Sequence, residues 1–300
     1  MDMGLIGLGK MGMNMAKRLL RGGHSIVAYN RTPEKTREIV KEGAIGSFSI
    51  DDLVSKLSPP RVIWLMLPAG DTVDEYVDTL SSRLAKTDIV IDGGNTFYKD
   101  DIRRAEKLRN RGIHFLDAGV SGGIWGLTEG YCLMVGGNSD VFNSVEPLLI
   151  TLAPPEGYMY CGQTGAGHYV KMVHNGIEYA MMQAYAEGFE LLNASVYGKD
   201  LDFSGLSHLW NRGSVIRSWL LELLESAFAK DQRLSGIRGY VEDSGEGRWT
   251  VKESVDLDVP AEVITQSLFK RFRSRQEDSF GDKILAALRN EFGGHKVIKK

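Results

Sequence analysis

The chain has 300 residues, 43% apolar and 25% charged, which excludes a disordered polypeptide, a membrane bundle and a disulfide-stapled mini-scaffold. Lys and Arg number 36 against 39 Asp and Glu, a net charge of -3, so overall charge gives no case for a nucleic-acid binder. Thirty-five glycines against 8 prolines point instead to many tight turns and close backbone approaches to ligands.

In chain order, strands are predicted at 3–8, 25–29, 61–67, 89–92, 114–118 and 131–135, with helices at 10–20, 35–42 and 72–82 in the gaps. This alternation predicts a doubly wound α/β domain with a parallel sheet. The turn formers Ala153-Pro154-Pro155-Glu156-Gly157 and the glycines of 162–167 then mark a boundary, giving domains 1–160 and 161–300. Beyond it, helical periodicity at 167–192, 214–230 and 260–275 predicts an all-α second domain. Segment 236–247 carries four glycines and mixed charges, and reads as a loop over a site or a surface turn. Residues 299–300 read as a frayed tail.

Cys132 and Cys161 are too far apart for a paired metal or redox motif, so a reduced, cytoplasmic setting and no metal are expected. No apolar run approaches the roughly 20 residues that span a bilayer, and the start Met1-Asp2-Met3 shows no export signal. Neither a membrane nor a nucleic acid is an expected partner.

Gly7-Leu8-Gly9-Lys10-Met11-Gly12 fits G-x-G-x-x-G directly after a strand and at the opening of a helix. Gly7 permits the tight turn, Gly9 lets backbone approach a pyrophosphate, and Gly12 allows close helix-sheet packing. The helix N-terminus adds partial positive charge and free N–H groups, so a Rossmann-type dinucleotide site is expected. After the second strand comes Tyr29-Asn30-Arg31-Thr32, where an NAD site would place a carboxylate. A guanidinium with two short polar side chains favours the 2'-phosphate of NADP, while Asn30 and Thr32 also suit a plain turn and helix cap before Pro33.

Lys171, His174, Asn175 and Glu178 fall at i, i+3, i+4 and i+7, on one narrow helix face. Two readings fit: a solvated face, or a stripe lining a cleft. The apolar neighbours Val170, Met172, Val173, Ile177, Ala180 and Met181 favour a largely buried helix and the second reading. Lysine and glutamate on that face could serve as base and acid, and His174 could equally be a core histidine bonded to backbone. Glycine clusters at 92–95 and 117–123 fall at predicted strand ends, where open parallel sheets bind ligands.

In order, GLGKMGMNMA, YNRT, MLPAG, DGGN, VSGG, KMVHNGIEY and, near the end, RNEFGGH resemble the decarboxylating 6-phosphogluconate dehydrogenases, within the β-hydroxyacid dehydrogenase superfamily. The resemblance implies NADP or NAD as coenzyme, with Leu67, Pro68, Ala69 and Asn95 joining the glycine loop and Asn30-Arg31-Thr32 around it. It implies that Lys171 takes the proton of the substrate 3-hydroxyl, that the β-keto acid loses carbon dioxide, and that Glu178 protonates C1 of the enediol to give ribulose 5-phosphate. Asn95, Ser121, Gly122, Gly123, His174 and Asn175 would hold the phosphorylated sugar acid, with Tyr179 and Arg271 at its phosphate. Arg289 and His295 match late residues that reach a partner subunit's site, implying a homodimer. The length resembles the family's short form, and Ser244 stands where longer members carry a phosphate-binding Lys. Arg248 could replace that Lys or lie in solvent. The competing expectations are a dehydrogenase of another β-hydroxyacid and a non-catalytic dinucleotide-binding sensor.

Overall fold

In the computed structural model, which describes residues 1–299, one sheet carries the first half of the chain. Lys300, half of the expected tail, lies outside the described residues. The strands are β1 (Asp2–Ile6), β2 (Ser25–Tyr29), β3 (Ile45–Ser47), β4 (Val62–Leu65), β5 (Ile89–Asp92), β6 (His114–Ser121), β7 (Cys132–Gly137) and β8 (Tyr158–Gly162). Their order is β3-β2-β1-β4-β5-β6-β7-β8. Helices α1 (Lys10–Arg21), α2 (Pro33–Val40), α3 (Ile50–Ser55), α4 (Asp71–Ser81), α5 (Tyr98–Arg109), α6 (Gly126–Glu129) and α7 (Ser139–Leu152) connect them.

The doubly wound α/β fold is therefore present, with one correction: β7 runs antiparallel to β6, although every other neighbouring pair is parallel. Only a short helical turn and α6 join those two strands, less chain than a parallel crossover requires. Edge strands β3 and β8 had no sequence signal: β3 spans three residues, and β8 is half-exposed.

The inner strands are buried on both faces, as a sheet covered by helices demands. Successive residues supply different cores. Leu5, Trp64, Ile89 and Ile91 pack on one side with Met15, Leu19 and Leu149, whereas Ile6, Ile63, Leu65 and Val90 pack on the other with Val73, Leu80 and Leu108.

The long helix α8 (Ala166–Ala194) is followed by α9 (Phe203–Trp210), α10 (Trp219–Lys230), α11 (Glu246–Asp256), α12 (Glu262–Ser274) and α13 (Phe280–Gly293). The helix predicted at 214–230 begins only at Trp219, because Ser218 caps it by accepting from the Leu221 amide at 3.2 Å. The chain divides by contact density into residues 1–174 and 175–300, a division that falls inside α8. The second unit has its own core of Phe189, Phe203, Leu221 and Phe228, with Phe189 centred 5.7 Å from Phe203 and 5.0 Å from Phe228.

Candidate active site

At β1 the sheet winds outward in both directions, so the loops after β1 and β4 meet at the topological switch point, where open α/β sheets bind ligands. Gly7 has φ of +98°, and a Cβ there would lie 2.3 Å from the Met66 carbonyl oxygen. One on Gly12 would lie 2.1 Å from the Gly7 carbonyl oxygen. Neither position admits a side chain. A Cβ on Gly9, by contrast, meets nothing within 4 Å. Open space thus fronts the N-terminus of α1, which has no side-chain cap and no acidic residue in its first turn. A dinucleotide pyrophosphate fits this cradle sterically and electrostatically.

Around it, Lys10 is exposed and Met11 half-buried, Leu67 is half-buried, and Pro68 and Ala69 are exposed. The Leu8 amide donates to Asn30 Oδ1 at 2.9 Å, and Asn30 Nδ2 donates to the Thr32 carbonyl at 3.1 Å. Asn30 thus ties the glycine loop to the next one, while Arg31 stays exposed. Thr32 caps α2 without a side-chain hydrogen bond.

The first turns of α8 track β6. Asp117, Gly119 and Ser121 share one face of the strand and meet His168, Lys171 and His174 in turn. The Asp117 carboxylate accepts from the Gly165 amide at 2.7 Å and the His168 amide at 2.9 Å, which anchors the helix start. A Cβ on Gly119 would lie 2.4 Å from Lys171 Cβ, so the missing side chain lets the lysine stem pass. Ser121 Oγ lies 3.5 Å from His174 Nε2. Gly122 and Gly123 follow with φ of +135° and +54°. Cys132 stands opposite Ser121 in the sheet. Burial raises the Cys132 thiol pKa, against the opposing charge of the nearby Lys171 ammonium.

Because α8 is continuous, Lys171, His174, Asn175 and Glu178 project from one face, with Lys171 and Glu178 about 10 Å apart along the axis. Lys171, His174 and Glu178 are half-buried and Asn175 is buried. The apolar neighbours depart from expectation: Met172 is buried, but Val170, Ile177 and Met181 are exposed in this single chain, Ile177 to 51%.

Within the second unit, Asn175 Nδ2 donates to Glu246 Oε1 at 2.7 Å. The buried Tyr179 accepts at its hydroxyl from the Ser244 amide at 3.3 Å, and the Arg271 guanidinium stacks 3.6 Å from its ring centre. Arg271 also donates to the Glu242 carbonyl at 2.7 Å. Arg248 turns to Asp243 at 2.7 Å and packs over Phe272. Arg275 reaches the same carboxylate at 2.8 Å, and these arginines, Arg248 first, hold Asp243 below the usual carboxylate range. Arg289 and His295 lie exposed on α13 and the segment after it, joined to each other by the His295 amide and Arg289 carbonyl at 3.4 Å. Among the described residues no hydrogen bond or ion pair links either one to Tyr179 or Arg271.

A buried polar frame escaped the sequence reading. Asp92 accepts from the Gly94 amide at 3.0 Å and the Thr96 hydroxyl at 2.9 Å, which shapes the loop that carries the half-buried Asn95. Arg104, 1% exposed, reaches Asp92, Asp74 and the Gly70 carbonyl, joining that loop to the one after β4. His168 completes the frame through Asp101 and the Gly94 carbonyl. Its signal was its place one turn before Lys171, extending the polar stripe backward. Ligand atoms of Asp101, Asp117 and His168 lie within 4.8 Å of one another, but the His168 ring nitrogens already meet Asp101 and the Gly94 carbonyl, and Asp117 accepts from the Gly165 and His168 amides.

Residues 2–164 match the family model for the NAD binding domain of 6-phosphogluconate dehydrogenase, and residues 167–296 match its C-terminal domain. The chain belongs to the 6-phosphogluconate dehydrogenase family. A Haloferax volcanii relative, an NAD(+)-dependent, decarboxylating 6-phosphogluconate dehydrogenase, is 44% identical over 100% of this chain and 99% of its own. The NADP(+)-dependent, decarboxylating enzyme of Bacillus subtilis is 40% identical over 92% of this chain and 62% of its own. Among solved structures, Plasmodium falciparum 6-phosphogluconate dehydrogenase superposes with a TM-score of 0.84 at 30% identity, covering 100% of this chain and 66% of that one. The chain thus spans nearly all of one 6-phosphogluconate dehydrogenase and about two thirds of the other two. No helix among the described residues is long and apolar enough to cross a membrane.

Proposed function

We propose that the protein oxidatively decarboxylates 6-phosphogluconate to ribulose 5-phosphate and carbon dioxide, reducing NAD or NADP. The observation that carries this reading is a lysine threaded past Gly119 on the same face of one helix as Glu178. Bound at the glycine loop, the coenzyme supplies a hydride acceptor. Lys171 Nζ takes the proton of the C3 hydroxyl as that carbon is oxidised. The new carbonyl lies β to the carboxylate and takes up the electron pair left when the bond to carbon dioxide breaks, with Lys171 returning its proton to that oxygen. Glu178 then donates a proton to C1 of the enediol while Lys171 takes the proton back from the C2 hydroxyl, which leaves the ketone.

Asn95, Ser121, Gly122, Gly123, His174 and Asn175 hold the hydroxylated chain, and Tyr179 and Arg271 take its phosphate. The stacked guanidinium of Arg271 supports that assignment, since it is fixed in place and carries charge. Arg289 and His295 reach the partner subunit's site in a homodimer, a reading supported by the exposed apolar residues Phe280, Leu285 and Phe292 of the same helix.

The test is reduction of NAD and of NADP by 6-phosphogluconate, with carbon dioxide followed in the same samples. Reduced coenzyme and carbon dioxide in equal amounts are expected. A second reading, dehydrogenation of another β-hydroxyacid, is favoured by Ser244 and by the engagement of Arg248 with Asp243. Reduction of coenzyme by an unphosphorylated acid without carbon dioxide would establish it instead.

A further inference from the structure

His168 and Asp101 are 1% and 0% exposed, and neither takes part in the steps proposed above. Their contact lies between two clamped segments. One is the loop after β5, where Asp92 holds the Gly94 amide and the Thr96 hydroxyl. A Cβ on Gly94 would lie 2.5 Å from the Leu67 carbonyl oxygen, so this loop rests on the backbone of the loop after β4. The other is the start of α8, where Asp117 holds the Gly165 and His168 amides. A Cβ on Gly167 would lie 2.4 Å from the Met134 carbonyl oxygen, which seats this turn on the sheet. The His168 ring spans the two: Nε2 donates to the Gly94 carbonyl at 3.1 Å, and Nδ1 lies 2.6 Å from Asp101 in α5. Asn95 follows Gly94 directly, and Lys171 stands one turn after His168 on the same helix face. An imidazole is rigid, so the separation of its two contacts is fixed.

We propose that His168 is a positioning residue for the reaction: Asp101 orients its ring, and Nε2 holds the loop of Asn95 in register with the helix turn of Lys171. The side chain that holds the sugar acid and the base that takes its proton then keep one separation. Reaction geometry tolerates little slack, a misplacement of about 1 Å costing on the order of a hundred-fold in rate. This deepens the proposed function and rests on it.

Two substitutions separate the contacts of the ring. Glutamine carries a nitrogen at the place of Nε2, and asparagine one at the place of Nδ1. His168→Gln therefore keeps the bond to Gly94 and gives up the one to Asp101, whereas His168→Asn does the reverse. A buried carboxylate left without a donor costs more than a carbonyl left without one, so the Gln variant should have the lower thermal midpoint. Turnover should run in the opposite order. We expect kcat with 6-phosphogluconate to fall about a hundred-fold in the Asn variant and far less in the Gln variant. Coenzyme affinity, read by fluorescence titration, should change much less than kcat in both, because the pyrophosphate cradle lies at β1. An unchanged kcat in the Asn variant, or turnover that follows the thermal midpoints, would make His168 a brace only and overturn the inference. Should the Gln variant not fold, the double variant Asp101→Asn/His168→Gln, which removes the orphaned carboxylate, must show the same advantage over His168→Asn. A wild type that oxidises another β-hydroxyacid but not 6-phosphogluconate refutes the proposed function alone, and the same comparison is then read with that acid. One that oxidises neither refutes both.

Discussion

His168 bridges Asp101 and Gly94, with Nδ1 at 2.6 Å from the carboxylate and Nε2 at 3.1 Å from the carbonyl oxygen. A carbonyl can only accept, so Nε2 carries a proton, and the short contact on the other side requires a second one between imidazole and carboxylate. Burial works to lower the His168 pKa, but Asp101, with Asp92 and Asp117 behind it, prevails and raises it. Burial likewise raises the Asp101 pKa against the pull of His168. The pair keeps its proton at neutral pH.

That proton makes stability depend on pH. In the unfolded chain His168 releases it near 6.5, whereas the folded pair holds it to higher pH. Its contribution is therefore complete below about 6.5 and is lost as pH rises through the folded value, at up to about 1.4 kcal/mol per pH unit. Urea unfolding at pH 7, 8 and 9 should show wild-type stability falling more steeply than that of His168→Gln. Parallel trends would show that no proton is taken up there.

Lys171→Met should lower turnover by about a thousand-fold or more, in the upper range for loss of a general base. Coenzyme affinity, followed by fluorescence titration, should barely change. Turnover near wild type with tight coenzyme binding would remove Lys171 from the chemistry.

Gly119→Ala tests how Lys171 is placed. The new methyl must push the lysine stem aside, since Cβ would meet Cβ at 2.4 Å. A displacement of that order costs about a hundred-fold in kcat. KM for the coenzyme should remain unchanged, because the glycine loop lies elsewhere on the sheet. An unaltered kcat would show that the lysine is positioned by other contacts.

Arg31→Ala addresses coenzyme choice. Only NADP carries a 2'-phosphate for the exposed guanidinium, so affinity for NADP should fall about ten-fold with little change for NAD. Equal losses for both coenzymes would refute a role in discrimination.

The glycine fingerprint and inner strands were legible because they depend on local pattern: continuous apolar runs and a Gly-rich turn at a strand end. The antiparallel β7 was not, since Cys132–Gly137 reads the same in either direction. Asp101 and Arg104 sit in the charged run Lys99-Asp100-Asp101-Ile102-Arg103-Arg104, which resembles a solvated helix face. Only tertiary packing buries these two and leaves Asp100 and Arg103 near solvent. Glu246 was hidden in the same way, within a glycine-rich segment that reads as loop. Conversely, Ile177 looked like a core residue by periodicity but is half-exposed in the single chain.

The match between β6 and α8 has a consequence for how this segment can change over time. A strand repeats every two residues and a helix every 3.6, yet Asp117, Gly119 and Ser121 stay in step with His168, Lys171 and His174. Such a match tolerates exchange of side chains only where no close approach depends on them, as one does at Gly119, and it tolerates no change of length. One residue gained or lost within β6 would present Ala118 and Val120 to the helix. Anchor, lysine and histidine would then be misplaced together, so divergence here should proceed by substitution, with insertions confined to the connecting loops.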